Sequence, residues 1–127
     1  MNYKVLIVDD SKLARMSVAK ALHTLHPDWG RLEAANAEEA LERLAQGRPD
    51  IVLLDYNMPG KDGLTLAKEL RELHPRIAIA VISANRQIEV VNRTQAAGAT
   101  FLAKPLTEKA LEEFLTTAVQ HLQAPPA

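Results

Sequence analysis

The sequence predicts an α/β fold in which a parallel sheet lies between two layers of helices. Three short apolar runs, at residues 4–8, 51–54 and 77–82, are typical of strands that are buried on both faces. Segments with helical periodicity lie between such runs, and strands that alternate with helices form parallel sheets through right-handed crossovers. The length of 127 residues and the hydrophobic content of 47% suffice for one well-packed domain.

Each element is marked by its apolar pattern and by the residues at its ends. The five expected strands are residues 4–8, 31–35, 51–54, 77–82 and 100–103. The five expected helices have apolar residues at helical spacing. The residues that bound them are, in chain order, Ser11 to Leu25, Asn36 to Gly47, Gly63 to Pro75, Arg86 to Ala97, and Thr107 to residue 122. Asn36 and Glu39 have the spacing of a capping box, which supports the start of the second helix.

The composition argues against several partners and compartments. With 15 basic and 16 acidic side chains, the net charge of −1 gives no general attraction to nucleic acid or to an anionic membrane. The sequence has no cysteine, which excludes disulfides and thiolate metal sites and fits a reducing cytosol. The longest apolar run, residues 77–82, is far shorter than a membrane span, and we expect no signal peptide because a strand pattern begins near Tyr3.

Polar side chains follow four of the five expected strands. Asp9 and Asp10 follow the first strand, Asp55 the third, Ser83 the fourth and Lys104 the fifth. Because the carboxyl ends of parallel strands lie at one edge of a sheet, these groups are expected to converge on one crevice. Two carboxylates about 5 Å apart repel by roughly 3 kcal/mol at an effective dielectric near 20. The clustered acids would therefore either raise one another's pKa or require a cation such as Mg²⁺. An acid nucleophile, a metal site, a lysine and a hydroxyl are together suited to phosphoryl transfer to a carboxylate.

Four motifs carry a family resemblance. They are the Asp9-Asp10 pair, the loop DYNMPGKDG at residues 55–63, Ser83-Ala84 and Lys104-Pro105, in this order along the chain. Together they resemble the receiver domain of bacterial two-component response regulators, of the chemotaxis-regulator type, over residues 3–122. The resemblance implies a flavodoxin-like (βα)5 fold with the strand order 2-1-3-4-5. It also implies one receiver domain at residues 1–122, followed by a tail or linker stub at residues 123–127.

The resemblance implies a role for each acid of the cluster. Asp55 would be the phosphoacceptor, which attacks the phosphohistidine of a histidine kinase or of a histidine phosphotransfer protein. Asp10 and Asp55 would hold Mg²⁺ together with the backbone carbonyl of Asn57, and Asp9 would act partly through water. Such a domain catalyses its own phosphorylation and dephosphorylation and is not otherwise an enzyme.

The resemblance also implies how a phosphoryl group would switch the protein. Lys104 would pair with the carboxylate and then with the phosphoryl group, and a cis bond before Pro105 would aim its side chain. Ser83 would bond a phosphoryl oxygen, which would shift the loop at residues 83–87 and leave space for Phe101 to turn inward. Threonine is also common in the family where Ser83 stands, and tyrosine is frequent where Phe101 stands.

Two surfaces are candidates for partner binding. Leu13, Met16 and Lys20 lie off the core stripe of the first helix, and the first two flank the acidic crevice. We expect this surface to dock the kinase; the alternative is that a neighbouring helix covers it. An unknown output protein or domain would contact the surface made by the fourth helix, the fifth strand and the fifth helix, at Gln87, Val90, Val91, Phe101 and Lys109.

Simpler structural roles are open for several of these residues. The Asp9-Asp10 pair could interact with the dipole of the first helix. Asp55 could cap the loop that follows it, and Ser83 could cap the next helix. Lys104 could be a solvated surface residue, and Phe101 could belong to the core.

Two other functions fit parts of the pattern. A haloacid dehalogenase-type phosphatase also uses an aspartate nucleophile with Mg²⁺, but it requires a second acid where this sequence has Asn57. A phosphorylation-independent binding module of the same fold would have no affinity for Mg²⁺. We expect a cytoplasmic signalling domain, free-standing or cut from a longer regulator, that is a monomer or a phosphorylation-dependent dimer.

Overall fold

The computed structural model describes residues 2–58 and 60–125, which form five strands and five helices in alternation. The strands are β1 (Lys4–Val8), β2 (Gly30–Ala34), β3 (Ile51–Asp55), β4 (Ala78–Ser83) and β5 (Thr100–Ala103). The helices are α1 (Lys12–Leu25), α2 (Ala37–Gly47), α3 (Gly63–Leu73), α4 (Ile88–Ala96) and α5 (Glu108–Gln123). All ten elements were predicted, although α4 begins two residues later than expected. Of the expected tail, Gln123 belongs to α5, and residues 126 and 127 lie outside the described part.

The five strands form one parallel sheet with the order β2-β1-β3-β4-β5. Each neighbouring pair is parallel, including β1 with β3 and β4 with β5. This order confirms the predicted flavodoxin-like fold. The order reverses between β1 and β3, and in open α/β sheets ligands bind at the carboxyl ends of the strands beside such a reversal.

The core is divided by the sheet into two apolar clusters. Alternate residues of each strand point to opposite faces, so Leu6 of β1 contributes to one cluster and Ile7 to the other. The first cluster includes Leu44 of α2 and Leu70 of α3, and the second includes Leu111 of α5. Burial on both faces explains why the central strands are continuous apolar runs.

Side-chain caps set where four of the helices begin. Ser11, Asn36, Asp62 and Thr107 each accept a hydrogen bond from a backbone N–H three residues later, at distances of 2.8–3.2 Å. The reciprocal bond differs from that of a standard capping box, since the Glu39 carboxylate accepts from the N–H of Ala35, one residue before the cap Asn36. These caps hold the first turns close to the carboxyl edge of the sheet. Among the helices of the described ranges, none has both the length and the apolar character needed to cross a bilayer.

Candidate functional site

Three carboxylates lie together at the carboxyl edge of the sheet. Asp55 is the last residue of β3, and Asp9 and Asp10 follow the neighbouring strand β1. One oxygen atom from each of the three side chains lies within 4.8 Å of the other two. Around an octahedral Mg²⁺, neighbouring oxygens are about 3 Å apart and opposite ones about 4 Å, given metal–oxygen distances near 2 Å. The cluster therefore fits such a cation if one carboxylate binds through a water molecule or turns slightly.

Asp55 is paired with Lys104, which follows β5. The Lys104 Nζ atom lies 2.8 Å from Oδ1 of Asp55, whose side chain is only 5% exposed. The angles of this contact are outside those of a hydrogen bond, so it is an ion pair rather than an aligned bond. The Lys104 backbone N–H donates to the carbonyl of Ser83, and the bond between Lys104 and Pro105 is cis, as the resemblance implies. The Lys104 side chain is still 38% exposed, but its ion pair with Asp55 shows that it is more than a solvated surface lysine.

The pKa of Asp9 reflects its burial and the repulsion among the three acids. Burial raises the pKa of the Asp9 carboxyl above its ordinary value, and the negative charges of Asp55 and Asp10 raise this pKa as well. The pKa is lowered by a hydrogen bond of 2.9 Å from the Ser11 N–H and by the positive charge of Lys104. Together these two contributions are smaller, so the pKa of Asp9 remains raised. Ionised Asp9 is thus held in an unfavourable place, and a cation bound among the three acids would relieve the repulsion.

Ser83 is buried at the end of β4, next to the acidic cluster in the sheet order. Its Oγ accepts a hydrogen bond of 3.0 Å from the backbone N–H of Asn85. Helix α4 begins only after Gln87, so the alternative that Ser83 caps this helix is wrong. The hydroxyl proton is not used in the bond from Asn85 and can be donated to an oxyanion.

Two further predicted residues lie at the margins of the site. Asn57 is exposed, two residues after Asp55, and the next residue, Met58, is buried in the first apolar cluster. Pro59 of the predicted loop motif lies outside the described residues. Phe101 is half-buried on the edge strand β5, opposite Val81 of β4.

Gly63 supports strand β3, which ends in Asp55, a role that was not predicted from the sequence. Its N–H donates to the carbonyl of Tyr56, and a Cβ at this position would lie 2.7 Å from the carbonyl oxygen of Asp55. Only glycine therefore allows the first turn of α3 to approach β3 this closely. The Asp62-Gly63 pair at the start of a helical pattern was a possible signal, but turn chemistry alone explained it.

The first predicted partner surface is open to solvent. Leu13 is 79% exposed and Met16 is 54% exposed, and Lys20 is also exposed. The alternative that a neighbouring helix covers Leu13 and Met16 is therefore wrong for the described structure.

The second predicted surface needs one correction. Gln87 and Lys109 are exposed and Val91 is half-buried, but Val90 is only 6% exposed. Val90 and the fully buried Thr94 are four residues apart and form the inward face of α4, so Val90 cannot contact a partner without a rearrangement. Sequence reasoning missed Ile88, an apolar residue on the outward side of α4 that is 68% exposed.

Comparison with known proteins gives consistent matches. Residues 5–116 match the family described as Response regulator receiver domain. The chain is 32% identical over 106 residues to Sporulation initiation phosphotransferase F of Bacillus subtilis, covering 83% of this chain and 84% of that protein. It is 31% identical over 120 residues to the DNA-binding transcriptional regulator NtrC of Escherichia coli, covering 94% of this chain and 25% of that protein. The solved structure of the chemotaxis protein CheY4 of Vibrio cholerae has a TM-score of 0.84 at 29% identity, covering 93% of this chain and 99% of the other.

Proposed function

Because the chain belongs to the family of response regulator receiver domains, we propose that Asp55 is the residue that accepts a phosphoryl group. Receiver domains are the phosphoacceptor signalling domains of two-component systems. The observation that carries the assignment to Asp55 is its ion pair with Lys104 within a cluster of three acids at the switch point of the sheet. The proposed domain comprises residues 1–122, and residues 123–127 are a tail or linker.

In the proposed reaction an Asp55 oxygen attacks the phosphorus atom of a phosphohistidine. A new oxygen–phosphorus bond forms, the nitrogen–phosphorus bond breaks, and the electron pair leaves with the imidazole of the partner. The ammonium of Lys104 then turns from the carboxylate to a phosphoryl oxygen, and the Ser83 hydroxyl donates to another. These groups stabilise negative charge at a site where Asp55 and Ser83 are buried, so solvent screens their interactions less than it would in bulk water.

The cation in this proposal is Mg²⁺, which the acidic residues of receiver domains bind. Asp10 and Asp55 would hold it together with the Asn57 carbonyl, and Asp9 would act partly through water. When bound, Mg²⁺ supplies positive charge that offsets the charge of the carboxylates and of the phosphoryl oxygens. Oxygen atoms of Asp9, Asp10 and Asp55 lie within 4.8 Å of one another, which supports a shared cation among the three acids.

The proposed phosphodonor is a histidine kinase or a histidine phosphotransfer protein that docks beside α1. A groove of about 520 Å³ supports this proposal, since it extends from Asp9 and Lys104 along Ala14 and Val18 of α1 to Leu106. Leu13 and Met16, also on α1, are exposed apolar residues outside the lining of this groove, and they would offer further contacts to a donor that wraps around the helix. A helix of the donor seated here would bring its phosphohistidine to the mouth of the site.

The proposed output surface comprises α4, β5 and α5. A bond from Ser83 to the phosphoryl group would draw in the loop at residues 84–87, and Phe101 would turn inward into the space that is vacated. Gln87, Val91 and Lys109 would then present a changed surface to the output partner, whether in a monomer or in a phosphorylation-dependent dimer. We further propose that the protein acts in the cytoplasm and turns over no external substrate.

The decisive test is labelling with acetyl phosphate and Mg²⁺, followed by mass spectrometry of the intact protein. The wild type should gain the mass of one phosphoryl group, and Asp55→Asn should gain none. Asp28→Asn is a matched control, because it removes one carboxylate from an exposed loop, and it should be labelled like the wild type. Labelling of Asp55→Asn, or its absence in the wild type, would contradict the proposal. Turnover of an external phosphomonoester would instead favour a phosphatase.

A further inference from the structure

We propose that Arg15 is a positioning residue for the metal site, through a guanidinium that fixes the backbone of Asp9 from the side of α1. This inference rests on the proposed function, since it concerns the Mg²⁺ site of the acidic cluster. Arg15 belongs to the first turn of α1, and its side chain is only 15% exposed. Its guanidinium forms an ion pair with Glu33 and contacts the acidic cluster through the backbone carbonyl of Asp9.

The contacts of Arg15 are with the supports of the acidic cluster. Its Nη1 donates a hydrogen bond of 2.6 Å to the backbone carbonyl of Asp9. Its Nε donates to Oε1 of Glu33 on β2, at 3.0 Å. The planar guanidinium therefore joins the end of β1 to the neighbouring strand with two donors in a fixed relative geometry.

Three hydrogen bonds hold Asp9: one at its N–H, one at its carbonyl and one at its carboxylate. Its N–H donates to the carbonyl of Ala34 at 3.1 Å, its carbonyl accepts from Arg15, and its carboxylate accepts from the N–H of Ser11. The peptide unit that begins at the Asp9 carbonyl continues to the nitrogen of Asp10. Fixing this unit fixes where both carboxylates leave the backbone, and therefore their distance from Asp55.

Whether the removal of Arg15 strengthens or weakens Mg²⁺ binding distinguishes a positioning role from a purely electrostatic one. Arg15 carries a positive charge near a site for a cation, so its removal should strengthen Mg²⁺ binding if only Coulombic repulsion matters. If Arg15 positions Asp9 and Asp10, its removal should weaken Mg²⁺ binding. Groups that orient metal ligands typically change metal affinity by 10- to 100-fold, and we expect about tenfold here because Arg15 acts on the backbone.

The test is the Mg²⁺ dissociation constant, measured by calorimetry and by the shift of the Ser11 amide signal in NMR spectra. Arg15→Met removes both donors and should weaken Mg²⁺ binding by about tenfold. Arg15→Lys keeps the charge but cannot reach Asp9 and Glu33 together, so it should lose a smaller part of the affinity. Circular dichroism selects a temperature at which each variant is folded, and Arg15→Lys preserves the test if Arg15→Met does not fold.

Arg43 provides the matched control. Its Nε donates to the backbone carbonyl of the same Glu33, at 3.2 Å, and this hydrogen bond does not involve Asp9. Arg43→Met and Arg43→Lys should therefore bind Mg²⁺ within twofold of the wild type. Equal or tighter binding in the Arg15 variants, or equal losses in the Arg43 variants, overturns the inference. A wild type that binds no Mg²⁺ overturns the proposed function as well, whereas a labelled wild type with unaffected Arg15 variants overturns the inference alone.

Discussion

Replacement of Gly63 by alanine tests whether the approach of α3 to β3 positions Asp55, the proposed phosphoacceptor. The new Cβ would lie 2.7 Å from the Asp55 carbonyl oxygen, 2.8 Å from Cδ1 of Leu54 and 2.9 Å from Cα of Tyr56. Two of these three atoms belong to the backbone and cannot turn away, so the first turn of α3 must retreat by about half an ångström. Such overpacking costs about 1–3 kcal/mol, against about 0.5–1 kcal/mol gained from the better helix propensity of alanine.

The midpoints of these two ranges leave a net loss of about 1 kcal/mol, which should lower Tm by roughly 4 °C in a domain of this size. Displacement of Asp55 should also slow its labelling by acetyl phosphate by about tenfold, since misplacement of a reacting group by 1 Å can cost about a hundredfold. The measurements are calorimetric unfolding and the rate of mass gain at a temperature well below both midpoints. Gly30→Ala is the matched control, because its nearest neighbour is a flexible lysine side chain at 3.6 Å. Wild-type Tm and labelling rate in Gly63→Ala would refute the reasoning.

Three further predictions concern charge and docking. Asp9→Asn should raise the Tm of the metal-free protein at pH 7, because it removes an ionised carboxylate that the fold disfavours. This gain in Tm should fade as the pH falls through the raised pKa of Asp9, and it should be absent below pH 3.8, where position 9 is neutral in both proteins. Lys104→Met should raise the pKa of Asp9 further, because the Lys104 charge lowers it; an unchanged carboxyl carbon titration in NMR spectra would contradict this. Leu13→Glu or Met16→Glu should slow transfer from the kinase but spare labelling by acetyl phosphate, and equal loss with both donors would reject the docking surface.

The fold was predictable because its signals are local. Continuous apolar runs mark strands buried on both faces, and capping residues such as Asn36 and Thr107 mark the first turns of helices. The start of helix α4 was not predicted accurately. The expected start at Arg86 lies in a loop, where the side chains of Ser83 and Asn85 accept hydrogen bonds from the N–H groups of Asn85 and Gln87, respectively. Small polar residues stabilise such turns as readily as they cap helices, so the sequence at this point did not distinguish a loop from the start of a helix.

Partner surfaces were predicted less well, because exposure depends on how a helix is rotated about its axis. Val90 and Val91 are adjacent and chemically identical, yet the first is buried and the second is half-buried. Ile88 was overlooked for the same reason. Periodicity over a helix of only nine residues does not fix this rotation within the width of one side chain.

The sequence by itself determined which chemical groups stand at the ends of the strands, and the parallel arrangement of those strands determined that the groups would share one edge. Tertiary structure alone decided that Lys104 reaches Asp55, that Arg15 binds the carbonyl of Asp9, and that Gly63 leaves no room for a side chain beside β3. The physical reason is one of range. Strand and helix patterns depend on neighbours within a few residues, whereas these three contacts join segments whose separation is set by the packing of the whole sheet and its helices.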